Sequence, residues 1–230
     1  LYTVEYFQLM RDRMNPGGIG AAWIPMAAID TEELKILMRS FQEVFPHATL
    51  WFMNHTHTNF GILIGTPEKL RVDFERLQAG FENPTVAADL KSIGMTEPLQ
   101  LLHCLHLDED GYRAFCGDSR LHTDNRPILE FSSPLSFYKY YETFYDNLKA
   151  TLALRPKSFS AYIRNLPEDL PAAEVKRHEV ASLAFCEVLL RFYQFRIEAR
   201  RDNFEKVTSL LNEAIETVSY THLRAHETDR

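Results

Sequence analysis

The sequence has no Cys-x-x-Cys motif, no basic surplus and no apolar run long enough to cross a bilayer, and each absence removes a class of function. Its three cysteines, Cys104, Cys116 and Cys186, stand far apart in 230 residues. An odd, scattered set fits reduced thiols and a cytoplasmic location, not a disulfide framework. Lys and Arg number 25 against 32 Asp and Glu, a formal charge of −7. A sequence-independent nucleic-acid binder displaces counterions with a basic face, so this balance argues against nucleic acid as a partner. The longest apolar stretch, Ile19 to Ile29, contains Pro25 and falls well short of the ~20 residues a spanning helix needs. No secretory pattern opens the sequence, and no membrane segment is expected in these residues, whatever a longer parent carries. Glycine is scarce too. The cluster Gly17-Gly18-Ile19-Gly20 follows a helical pattern and precedes a strand-like one. That is the reverse of the order a dinucleotide-binding loop requires, so it reads as a structural turn.

What is present is the composition of an ordinary globular chain, 45% hydrophobic and 25% charged. Leu1–Met14 carries Tyr2, Phe7, Leu9, Met10 and Met14 mostly three or four apart, the period of one buried helix face. Asn15-Pro16-Gly17-Gly18 ends it. Ile19–Pro25 reads as a buried strand. Asp30 or Thr31 caps the next helix with Glu33 as capping partner, and Leu34, Leu37, Met38, Phe41, Val44 and Phe45 share its buried face. Thr49–Met53 and Phe60–Ile64 read as strands around the polar turn at 54–59. Helix, strand, helix, strand, strand is the closing half of an α/β domain. Pro67–Leu77, Pro84–Ile93 and Glu97–His106 read as helices, Leu107–Ser119 as polar and turn-rich, and Arg126–Pro134 as holding the apolar run Ile128–Phe131. From Leu135 the pattern is helical, broken at Pro156, Pro167 and Pro171. Val175–Arg200 forms one long helix, and Asp202 caps another over Phe204–Val218. This last pair has the look of a tetratricopeptide-type hairpin. Ser219–Arg230 (SYTHLRAHETDR) loses the apolar period. It resembles translated sequencing-adapter read-through and is set aside from fold reasoning.

The segment LYTVEYFQLMRDRMNPGGIGAAWIP resembles the late part of class I methyltransferase-like domains. LYTVEYF, FQEVFPHATLWF and HTDNRPILEFSSP, in that order, resemble the spermidine synthase-like proteins found as long bacterial fusions, across Leu1 to Pro134. The resemblance implies the C-terminal half of a Rossmann-like (class I methyltransferase-like) domain over residues 1–134. A helical, tetratricopeptide-like tail would span 135–218, with an artefact over 219–230. It also implies aminopropyl transfer from decarboxylated S-adenosylmethionine to a polyamine such as putrescine. In that family the Gly-rich adenosyl loop, the ribose-binding acid and the catalytic Asp precede the matching region, so these residues alone are expected to be inactive. Two positions depart from the pattern. Ala22 stands before Trp23 where polyamine-forming members have Gln, and His55 and His57 stand where they have a substrate-facing Tyr loop.

The substrate-wall candidates are Trp23, His55, His57 and Asp124. Each also has an ordinary structural reading. Trp23 can be packing. His55 and His57 share a face of an extended segment and can be a solvated turn or the start of a metal site. Asp124 can close a turn beside an Arg126–Glu130 pair. His103 and His106 lie i, i+3 before an acidic run, and His222 and His226 imitate metal spacing in the set-aside tail. No metal site is assigned. The aromatic cluster Phe137 to Tyr145 reads as a docking face between domain and tail. Two rivals stand beside aminopropyl transfer: methyl transfer on the same scaffold, and a non-catalytic scaffold whose helical tail binds a protein partner.

Overall fold

The computed structural model describes residues 1–53, 58–200, 205–213 and 215–216. Helix α1 (Val4–Asp12) starts where the Thr3 hydroxyl accepts the Tyr6 N–H. The Asn-Pro-Gly-Gly turn stops it, with Gly17 at φ +73° and the Gly18 N–H donating to the Asn15 carbonyl. Strand β1 (Gly20–Pro25) follows, then α2 (Thr31–Val44), whose capping box of Asp30 and Glu33 was legible in the sequence. Strands β2 (His47–Phe52) and β3 (Phe60–Thr66) form the antiparallel hairpin expected around the polar turn.

Strand β3 pairs antiparallel with both β1 and β2, so those two run parallel, joined through α2 with β3 inserted between them. The sheet order is β1-β3-β2-β5, where β5 is Leu105–Leu107, antiparallel on the far edge of β2. The fold is therefore mixed helix and sheet with a small sheet whose neighbours are all antiparallel.

Several segments differ from their local patterns. Pro67–Leu77 does not form one helix: Val72–Asp73 make a two-residue strand β4, and α3 begins only at Phe74 (Phe74–Glu82), capped by Asp73. Helix α4 (Pro84–Ser92) follows as expected from Pro84 at its first turn. Glu97–His106 splits into a 3-10 turn (Pro98–Cys104) and β5, because the edge of β2 offers backbone partners that a continued helix would leave unpaired. The stretch read as turn-rich holds α5 (Glu109–Cys116), started by Asp108 accepting the Gly111 N–H. Arg126–Pro134 becomes α6 (Ile128–Ser136), with Pro134 inside it.

The sheet face formed by Ala22, Ile24, Ala48, Leu50, Phe52 and Leu63 is buried in the main core with Phe7 of α1 and Leu37 and Phe41 of α2. Helix α7 (Tyr140–Leu152) and helix α8 (Ala172–Arg200) pack into the same core through Phe144, Leu148 and Tyr193. A smaller core of Phe74, Leu99, Leu102, Phe159, Ile163 and Val175 holds the segment around β6 (Ile163–Arg164), which pairs parallel with β4. Residues 205–213 are helical; Leu210 is buried and Glu213 pairs with Arg191 of α8. His222 and His226 lie outside the described residues. Among the described residues, no helix is long and apolar enough to cross a membrane.

Candidate functional site

The site grows out of strand alternation. Residues two apart share a sheet face, so Ala22 and Ile24 point into the main core while Ala21 and Trp23 point away. The register places Trp23 and Trp51 on either side of Ile62, and Ala21 and Thr49 on either side of Ile64. This second face is apolar. It forms the floor of a cavity of about 440 Å³. The roof comes from Leu70 and Val72 near β4, from Leu90 and Ile93 around α4, and from Leu101 and Cys104 of the 3-10 turn.

At the mouth, the rings of Trp23 and Phe60 stack with centroids 3.9 Å apart and planes 23° from parallel. Trp23 remains 59% exposed, unusual for a side chain this large and apolar. The Trp51 indole N–H donates to the Thr49 hydroxyl at 2.9 Å, so the floor satisfies its own polar atom. Cys104 is the one titratable residue in the described lining, and burial pushes its thiol up to about 12. The described walls therefore hold no acid, base or nucleophile active near neutral pH. They can bind and orient a ligand, not move protons.

Of the sequence candidates, Trp23 lines this cavity. His55 and His57 lie outside the described residues, in the turn between Met53 and Thr58, two residues that do line it. Asp124 is elsewhere. It is exposed, in a tight turn closed by reciprocal Thr123 and Arg126 backbone bonds, and its N–H donates to the Glu5 carboxylate at 3.0 Å. The neighbouring His122 is buried. Its N–H donates to the Ser40 hydroxyl at 2.8 Å, its carbonyl accepts the Val4 N–H at 2.9 Å, and its Nδ1 accepts the Leu129 N–H at 3.4 Å. This block ties α1, α2 and α6 together.

No family model, curated protein or solved structure matches the chain.

A second polar cluster holds His103 and His106, which the sequence showed as an i, i+3 pair, together with partners it did not announce; His106 lies in strand β5 and the two do not share a helix face. Arg155, just before a helix-breaking proline, sends its guanidinium inward. Nη1 donates to Cys186 Sγ at 3.0 Å and meets His106 Nδ1 at 3.3 Å; Nη2 donates to the His103 carbonyl at 2.8 Å and to the Ser182 hydroxyl. The Thr151 hydroxyl donates to the Asn147 carbonyl, which leaves its oxygen to accept from His106 Nε2–H at 2.8 Å. His106 therefore carries its proton on Nε2 and offers the Nδ1 lone pair to Arg155. Full burial, then the facing guanidinium, holds its pKa well below the ordinary value. From His103 a chain continues through His178 Nδ1 at 3.0 Å to the Glu97 carboxylate, 3.1 Å from His178 Nε2. The cluster joins the 3-10 turn, β5, the end of α7 and α8. Its members come from positions 97 to 186, with bonded pairs such as His103–His178 75 residues apart, so no local pattern announces the set.

Proposed function

We propose that these residues form the sheet-closing portion of a class I, S-adenosyl-type transferase domain resembling spermidine synthase. Decarboxylated S-adenosylmethionine would be co-substrate and a polyamine such as putrescine the acceptor in the parent protein. The observation that carries the proposal is the insertion of β3, antiparallel, between the parallel strands β1 and β2 that α2 connects. That arrangement fits the end of a class I methyltransferase-like sheet. Strand β1 has a partner on one side only among the described residues, which leaves an edge on which further strands of such a sheet could pair.

In the proposed reaction a neutral amine attacks the methylene carbon beside the sulfonium. The new C–N bond forms as the C–S bond breaks, the thioether leaves, and a carboxylate takes the amine proton. The Gly-rich loop, the ribose-binding acid and the catalytic Asp for this chemistry would lie outside residues 1–230. A second reading, methyl transfer to a less charged acceptor, is favoured by one observation: the described walls beside Trp23 hold no carboxylate to attract a diamine.

Sequencing the gene beyond both ends, then assaying the encoded protein, tests the proposal. A strand, a Gly-rich turn and a later Asp upstream, with turnover of decarboxylated S-adenosylmethionine and putrescine, is the expected result. Turnover of S-adenosylmethionine alone would select the second reading. Degenerate upstream positions with helical repeats continuing downstream would select a non-catalytic, protein-binding scaffold.

A further inference from the structure

We infer that the cavity against β1, β3 and β2 is a binding site for an uncharged, apolar, ring-bearing small molecule. This goes beyond the transferase reading and does not depend on it.

The volume of about 440 Å³ lies in the range of small-molecule sites. Charge decides the ligand class. No Asp, Glu, Lys, Arg or His stands in the described lining, and burying an ammonium or carboxylate there without a partner is costly. The described walls therefore offer a polyamine no charged partner. Of the polar side-chain groups in the described lining, the Trp51 N–H is bonded to Thr49, the Thr58 hydroxyl accepts the Phe60 N–H at 3.3 Å, and the Cys104 thiol stays neutral. What the mouth offers is a flat slab. Trp23 and Phe60 are already stacked, and the exposed indole gives a ligand ring a surface for offset stacking. Ile62 and Ile93, both partly exposed at 42% and 40%, add apolar surface along the opening.

The chain supplies its own reporter, since its two tryptophans, Trp23 and Trp51, both line the cavity. N-phenyl-1-naphthylamine, an uncharged fluorophore, would be titrated into the folded chain while tryptophan emission and energy transfer to the probe are followed. Saturable binding of one probe per chain is expected, with a dissociation constant on the order of 10 μM. Naphthalene should displace the probe; putrescine and spermidine should not. Ile62→Asp, which puts a charge at the opening, and Ile93→Phe, which fills it from a half-exposed position, should each weaken binding at least tenfold while leaving the melting transition cooperative. Unsaturable binding, equal affinity in both variants, or displacement of the probe by putrescine would overturn the inference. The transferase reading fails separately, on gene sequence and turnover.

Discussion

His106, His122 and His178 are buried, and burial lowers the pKa of each. In the unfolded chain an imidazole titrates near 6.5. As pH falls through that value the unfolded chain takes up protons that the folded chain refuses, so folding weakens; above it, both states are neutral and the full stability is present. A fully buried imidazole that stays neutral, as His106 does, costs about 1.4 kcal/mol for each pH unit below 6.5. The melting temperature should therefore drop between pH 7.5 and pH 5.5, and less steeply in His106→Gln. A flat profile over that window would contradict the buried, neutral imidazoles. Two other buried side chains act through hydrogen bonds to backbone carbonyls. The buried Tyr112 hydroxyl donates to the Met38 carbonyl at 2.8 Å, and Asn147 Nδ2 donates to the carbonyls of Met26 and Ile29 at 3.0 and 2.9 Å. Denaturant titration should show Tyr112→Phe losing about 1 kcal/mol. Asn147→Ala, which strands two carbonyls of the loop after β1, should lose roughly 2–3 kcal/mol.

Between β1 and β3, two glycines leave room for the end of α2. Gly20 and Gly65 face each other in the register, and the Phe45 ring lies over both. A Cβ on Gly20 would stand 2.7 Å from Phe45 Cζ, and one on Gly65 would lie closer still to the same ring. Gly65→Ala should therefore cost about 1–3 kcal/mol by overpacking. Phe45→Leu in that background should recover part of the loss, because the shorter side chain vacates the space. If the double variant is no more stable than Gly65→Ala in a urea melt, this packing account fails. Element starts were legible because they depend on a few neighbouring atoms: the Asp30–Glu33 box and the helix start at Pro84 act where the sequence put them. Element type was less legible at Leu105–Leu107. Its leucine pattern suits a helix, but the edge of β2 supplies partners from more than fifty residues away.

For the molecule as a whole, α7 and α8 share one core with the sheet. Phe144, Leu148 and Tyr193 are buried in the same cluster as Ile24, Leu37 and Phe52, and Arg155 draws on α8 and the 3-10 turn together. A chain ending at Pro134 is thus expected to lose cooperative melting, because the part of the core that Phe144, Leu148 and Tyr193 fill, beside Phe52, would be exposed. Cooperative unfolding of that shorter chain near the original temperature would show instead that the sheet portion stands alone.

The residues by themselves determined the alternation of helix and strand through Thr66, the Asp30–Glu33 cap and the acidic balance. All of these are written in local period and charge. Trp23 was a candidate through the family resemblance of its strand, but its place in a cavity wall depended on which segments roof that sheet face. Asp124 looked equally suitable, yet its turn was drawn to Glu5 and α1, away from the cavity. The cavity and the Arg155 cluster were decided by tertiary structure alone. Each is made by side chains brought together across long loops, and neither burial nor a hydrogen-bond partner at such separation leaves a periodic trace in the chain.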